Sequence, residues 1–200
     1  IRKVLVYLLS NVADGLILIG GSILMGLPLP LNALQILWVN FFSDSFPAIA
    51  FAFEREPNGL AHKPRGRRME LFDPLMRFLI LVIGVTTSAF LLVLYVTLLR
   101  LGFDSELVRT FVFAAFGTYT LLVALSVRSL DKSILSYPLW SNRYLTVGIL
   151  IGLGLMVAAI YMPLFQTLFG TVPLPLIWVA GVGLVGIFNI VLIELAKKAF

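Results

Sequence analysis

Long apolar runs alternate with short polar or Pro/Gly-bearing links along the whole chain. The runs cover roughly residues 4–27, 31–53, 75–99, 108–127, 144–165 and 174–196. Each is long enough to cross a bilayer, whose hydrocarbon core takes about 20 residues at a rise of about 1.5 Å each. The alternating ten-residue segments of a membrane β-barrel are absent. The pattern therefore predicts an all-α fold, a polytopic transmembrane bundle of six membrane-spanning helices that makes one transmembrane domain over residues 1–200. No internal repeat and no low-complexity tract interrupts it.

Polar residues inside the runs carry the chemistry. The second run, LNALQILWVNFFSDSFPAIAFAF, holds Asn40, Ser43 and Asp44 at its middle, followed by Pro47. A carboxylate at mid-membrane costs roughly 2.5–3.5 kcal/mol on insertion scales. Pro47 has no N–H to give, and its ring disturbs the preceding turn. On a helix, Asn40, Ser43 and Asp44 stand at i, i+3 and i+4 and share a face. The first run adds Asn11 and Asp14, again three residues apart, in SNVADGLIL. The link between the two runs, GLPLP, is very short, so they are expected to form a tight antiparallel pair with these two faces meeting. Two carboxylates, two amide oxygens and a hydroxyl form a set free of sulfur and imidazole, which suits a hard cation better than zinc or copper. The bland reading is polar glue between helices, at ~0.6 kcal/mol per contact. Two carboxylates within spans favour ion or proton handling instead. The other runs read as the housing of the second.

Composition agrees with a membrane assignment: 60% of residues are hydrophobic, 12% are charged and the mean hydropathy is +1.03, where a soluble domain carries about 25% charge. The net charge of +5 points to cytoplasmic loops rather than to nucleic acid. With the N-terminus in the cytosol, every Lys and Arg except Arg100 and Arg109 lies at a cytosolic end or loop. That asymmetry predicts a multi-pass protein of the cell membrane with both termini cytoplasmic. The longest loop, 54–74, contains HKPRGRR, either a positive-inside anchor or a docking strip for a cytosolic domain. The absence of cysteine excludes disulfides and thiolate metal sites. The chain enters an apolar run almost at Ile1, which reads as a piece of something longer.

Other polar positions are weaker candidates. Thr118, Tyr119 and Thr120 form a patch in the fourth run, while Thr86, Thr87 and Ser88 in the third read as packing. Asn189 reads as an interhelical hydrogen bond, and Glu194 as a salt bridge beside Lys197 and Lys198. Gly148 and Gly152 make a small-xxx-small pair, common by chance in apolar helices. His62, the sole histidine, cannot build a His metal site.

The stretch SNVADGLILIGGSILMGLPLPLNALQILWVNFFSDSFPAIAFAFE closely resembles the fifth and sixth transmembrane helices of P-type cation-transporting ATPases, above all the type II branch that includes calcium pumps. The family pattern reads N-x-x-E, then L-P-L-x-x-x-Q-x-L-W-V-N-x-x-x-D-x-x-P-A. Asn11, Asn40, Asp44, Pro47 and Ala48 match it. RTFVFAAFGTYTLLVALSVRS resembles the eighth helix and FGTVPLPLIWV the start of the tenth, so the likeness runs over essentially the whole chain. It implies the C-terminal membrane half of an ATP-driven pump, holding part of the cation site at Asn11, Asp14, Asn40, Ser43 and Asp44, with Thr120 as a further candidate and Pro47 as the helix break. The implied cargo is Ca2+, with Mn2+ and Mg2+ as alternatives. Asp14 stands where calcium pumps usually have Glu, Ser43 replaces Thr, Ser45 a frequent Gly, and Thr120 falls where Glu or Gln is common. The first of two calcium sites (Asp14, Ser43, Thr120) thus looks depleted and the second (Asn40, Asp44) intact on its surviving side, which makes one divalent ion per cycle the expectation. The family's Asp-Lys-Thr-Gly and Thr-Gly-Glu motifs are not in these 200 residues. ATP and its Mg2+ belong to missing cytosolic domains, the implied partners together with four N-terminal helices and the lipid bilayer, and this piece should not hydrolyse ATP alone. The contrasting reading is a standalone six-helix protein: a secondary transporter, a channel subunit or an assembly factor.

Overall fold

A computed structural model describes residues 2–53, 74–130, 133–136 and 138–199. The HKPRGRR loop lies outside the described residues. The described elements are α1 (Arg2–Leu24), α2 (Ala33–Phe53), α3 (residues 74–100), α4 (Ser105–Val127), α5 (Arg143–Tyr161), a short α6 (Pro163–Phe169) and α7 (Leu176–Ala199). All but α6 are long and apolar enough to cross a membrane, six candidates in all.

Local chemistry fixes the ends of these helices. α1 closes on Gly26, whose φ of 66° is left-handed. Gly26 N donates to Ile23 O at 3.0 Å and Leu27 N to Ser22 O at 2.9 Å, the paired bonds of a Schellman stop. Met25, Gly26 and Leu27, the end of the first apolar run, therefore belong to the turn that follows the helix. Asn32 starts α2: its side chain accepts from Gln35 N at 2.8 Å while Gln35 Oε1 accepts from Asn32 N at 2.9 Å, a capping box. Asp104 caps α4 through the amides of Glu106 and Leu107. The fifth apolar run divides near its end: Met162 is extended (φ −85°, ψ 127°), and Pro163 begins α6 as a first-turn proline.

The centre of the bundle is α4, not α2. In the apolar window of α4, 83% of residues are buried inside the protein, against 28–39% in the other five spans. Small residues make this enclosure feasible, because Ala114, Ala115, Gly117 and Ala124 let neighbouring backbones approach. α7 lies along α4 over the most extensive helix contact in the protein. There the bare backbone of Gly186 makes room for the Leu122 side chain, which would stand 2.6 Å from any Cβ at that position.

The α1–α2 hairpin is short, as expected, yet its arms do not form a close pair along their length. α1 packs mainly on α3 and α4, and meets α2 chiefly in its Ser45–Ala50 segment. α4 wedges into the gap, with Trp38 of α2 edge-on to Phe113 at 5.5 Å and the Phe116 ring 3.8 Å from where a Gly15 side chain would begin. The arms close again at Tyr7 and Phe51, whose rings meet edge-on at 5.7 Å. The polar residues sit between that closure and the wedge.

Candidate cation site

Two of the long helices abandon the α-helical repeat where they pass the polar residues. α2 is π-helical over Val39–Asp44 and α3 over Val82–Thr86. In a π turn the hydrogen bond runs i to i+5, so residues three and four apart no longer stack on one face. The expected common face of Asn40, Ser43 and Asp44 is split accordingly. Ser43 (0% exposed) and Asp44 (6%) point into the bundle, whereas Asn40 is exposed beside Leu34, Leu37 and Phe41.

Pro47 explains the next contact. In an α-helix its missing N–H would have bonded to Ser43 O. That carbonyl instead accepts from Tyr7 OH of α1 at 2.7 Å, and the same hydroxyl lies 3.2 Å from Thr120 O of α4. Tyr7 thus ties the broken turn of α2 to both neighbours. Nothing in the sequence singled out this tyrosine.

The carboxylates are held from different sides. Asn11 Nδ2 donates to Asp44 Oδ1 at 2.9 Å, a direct bond between side chains of the two runs. Asp14 (1% exposed) accepts from Tyr119 OH of α4 through Oδ2 and has Ser88 of α3 within reach. Thr120 spends its hydroxyl hydrogen on Phe116 O at 2.8 Å, one turn back in its own helix, and is fully buried.

Several buried oxygens are left over. Asp14 Oδ1 and Ser43 Oγ have no hydrogen-bond partner, nor do the hydroxyls of Ser10 and Thr87. An unpaired buried polar group costs ~1–3 kcal/mol, more when charged, so each of these atoms calls for a partner. The space at Ser43 is kept by Gly117: a side chain there would come within 3.4 Å of Ser43 Oγ and 2.2 Å of the Met156 methyl. Among the described residues no three His, Cys, Asp or Glu side chains converge. The donors are therefore two carboxylates and neutral oxygens, the set a hard cation takes. The structure joins Asn11 to Asp44 and Asp14 to α4, lines the space with Ser43, and leaves Asn40 on the outer surface.

The site places two buried carboxylates inside a bundle of membrane-spanning helices, a position where ionisable groups are rare and mark functional sites. A family model described as "Cation transporting ATPase, C-terminus" matches residues 28–199, and the chain belongs to that family. Among its relatives are a "Calcium-transporting ATPase 1" of Bacillus cereus, 32% identical over 100% of this chain, and a "Calcium-transporting ATPase" of Bacillus subtilis, 33% identical over 92%. The human "Calcium-transporting ATPase type 2C member 1" is 30% identical over 86%. The chain spans only 24%, 21% and 19% of the lengths of these three relatives.

Proposed function

We propose that this chain is the C-terminal membrane domain of an ATP-driven pump for Ca2+, and that Asn11, Asp14, Ser43 and Asp44 form the bundle's side of its cation site. The observation that carries the reading is the pair of buried carboxylates on α1 and α2, with Asp14 Oδ1 and Ser43 Oγ left without a hydrogen-bond partner. Mn2+ and Mg2+ share the preference for oxygen ligands and are the competing cargoes. Asn40 belongs to the site through its outer side. An amide exposed on an apolar span face needs a polar partner in the membrane, and helices N-terminal to this domain are the proposed cover. Thr120 contributes through its carbonyl's link to Tyr7 rather than through its committed hydroxyl hydrogen. ATP and its Mg2+ are used by domains outside this chain, which by itself does not hydrolyse ATP. In the bilayer the domain lies with both ends of the chain in the cytosol.

Asp44 is the residue to test. It ends the π segment, precedes the Pro47 break and is held by the Asn11 amide, so its charge is available to a cation. Asp44→Asn keeps the size and removes the charge. In the full-length pump it is expected to abolish ion-dependent phosphorylation by ATP across a series of divalent ions, with Asp14→Asn less severe and Thr120→Ala least. Wild-type ion dependence in Asp44→Asn overturns the site.

A further inference from the structure

Asn32 and Asn142 play the same part at opposite ends of α2. Each caps the start of its own helix, α2 and α5, with its side-chain oxygen: Asn32 Oδ1 accepts from Gln35 N at 2.8 Å and Asn142 Oδ1 from Leu145 N at 3.1 Å. Each turns its Nδ2 to the closing carbonyl of a different helix, a group without a partner in that helix. Asn32 Nδ2 donates to Phe169 O at the end of α6 at 2.7 Å, with Gln35 Nε2 a second donor at 3.2 Å. Asn142 Nδ2 donates to Ala50 O at 3.1 Å, where α2 passes into its final turn. α5 and α6 meet at Met162, and side chains brace that corner: Gln166 Nε2 donates to Ile160 O at 2.7 Å and Thr171 Oγ1 to Ala159 O at 2.6 Å. α2, α5 and α6 thus close a ring in which one braced elbow grips both ends of α2. Between the grips lie the π segment and Pro47.

A π turn takes more residues than an α turn. Exchanging one repeat for the other over Val39–Asp44 therefore turns the two ends of α2 relative to each other. Ends held to a single elbow cannot turn without breaking a grip. We propose that Asn32 and Asn142 are positioning residues that fix the rotation of the ends of α2 and so keep its middle π-helical, with Asp44 turned in and Asn40 turned out. Releasing the grip at Ala50 lets the segment relax toward the α repeat, which turns Asp44 relative to Asn11 and weakens the hold on Ca2+. The inference rests on the proposed pump reading, and its test separates the two.

The experiment measures Ca2+-activated phosphorylation by ATP in the full-length pump. Asn142→Ser keeps a capping oxygen for α5, because Ser caps about as well as Asn, but is too short to hold Ala50 O as well. It is expected to raise the Ca2+ concentration for half-maximal phosphorylation about tenfold, the equivalent of one hydrogen bond, with the maximal phosphoenzyme level kept. Asn32→Ser is expected to give a smaller shift in the same direction, since Gln35 still holds Phe169 O. It carries the test alone where Asn142→Ser yields no folded pump, and no shift then overturns the clamp. Ser141→Ala loosens the same corner, where the hydroxyl bonds Arg128 and Pro138 O, and is expected to leave Ca2+ affinity unchanged. Tyr7 secures Ser43 O inside the π segment, so Tyr7→Phe combined with Asn142→Ser is expected to depart from the product of the two single shifts, as coupled sites do. An unchanged affinity in Asn142→Ser, an equal loss in Ser141→Ala, or shifts that simply multiply overturns the clamp while leaving the Asp44 site standing. No Ca2+-activated phosphorylation in wild type overturns the pump reading itself.

Discussion

Tyr7 has one hydroxyl proton and two carbonyls within its reach, Ser43 O at 2.7 Å and Thr120 O at 3.2 Å. The bond to Ser43 replaces the one that Pro47 cannot make. Tyr7→Phe keeps the ring against Phe51 and removes that donor. Leaving a buried carbonyl unpaired costs ~1–3 kcal/mol, so thermal unfolding of the variant in detergent is expected at lower temperature, with weaker ion affinity because the broken turn loosens. An unchanged midpoint and affinity would show that the hydroxyl is dispensable. The sequence identified Asn11, Asp14, Ser43 and Asp44 because a polar side chain inside an apolar run stands out. It did not identify Tyr7 or Tyr119, since a tyrosine in a span has an apolar body and reads as packing or as an interface anchor. The available signal was indirect: a proline within a span leaves a carbonyl that some neighbour must satisfy.

Among elements, the helix ends follow from residues visible in the sequence: Gly26, the Asn32–Gln35 box, Asp104 and Pro163 each act within a turn of where they stand. The π segments do not. Neither VNFFSD nor VIGVT contains a residue that marks the change of repeat. The π repeat parts Asn40 from Asp44 although their spacing fits one α-helical face. The π segment of α3 can be tested at Gly84, where a methyl group would stand 3.0 Å from Ala13 Cβ and 3.2 Å from Ser10 O of α1. Gly84→Ala is expected to push α3 away from Ser10 and Ala13, at about 1–3 kcal/mol for overpacking. Gly154→Ala in α5 meets nothing within 4 Å and is expected to change stability by less than about 0.5 kcal/mol. Unfolding midpoints of the two variants side by side check the contrast; equal shifts would mean that the contact with α1 yields freely.

For the whole molecule, the number of spans was legible because a bilayer demands one length from every helix. Their arrangement was not, because lipid-facing and buried helices are equally apolar. α4 is no more apolar than α1, at a mean hydropathy of 1.8 for each, yet it is by far the more enclosed. Orientation rests on the lysine and arginine asymmetry alone. Single cysteines at Gly66, outside the described residues, and at Ser105, at the start of α4, are expected to react with membrane-impermeant reagents from opposite faces of the membrane. Labelling of position 66 from outside intact cells would reverse the assignment.

The enclosure of α4 bears on how the protein is made. A helix that carries Thr110, Thr120 and Ser126 fully or almost fully buried meets lipid on every side when it first enters the bilayer. Its main neighbour, α7, is synthesised last among the described helices. Until α7 arrives, α4 stands at the centre of an unfinished assembly, with hydroxyls and a glycine-notched surface open to acyl chains or to the insertion machinery. Biogenesis is thus expected to hinge on the late docking of α7, and a nascent chain halted before that helix should be a better substrate for membrane quality control than one halted after it.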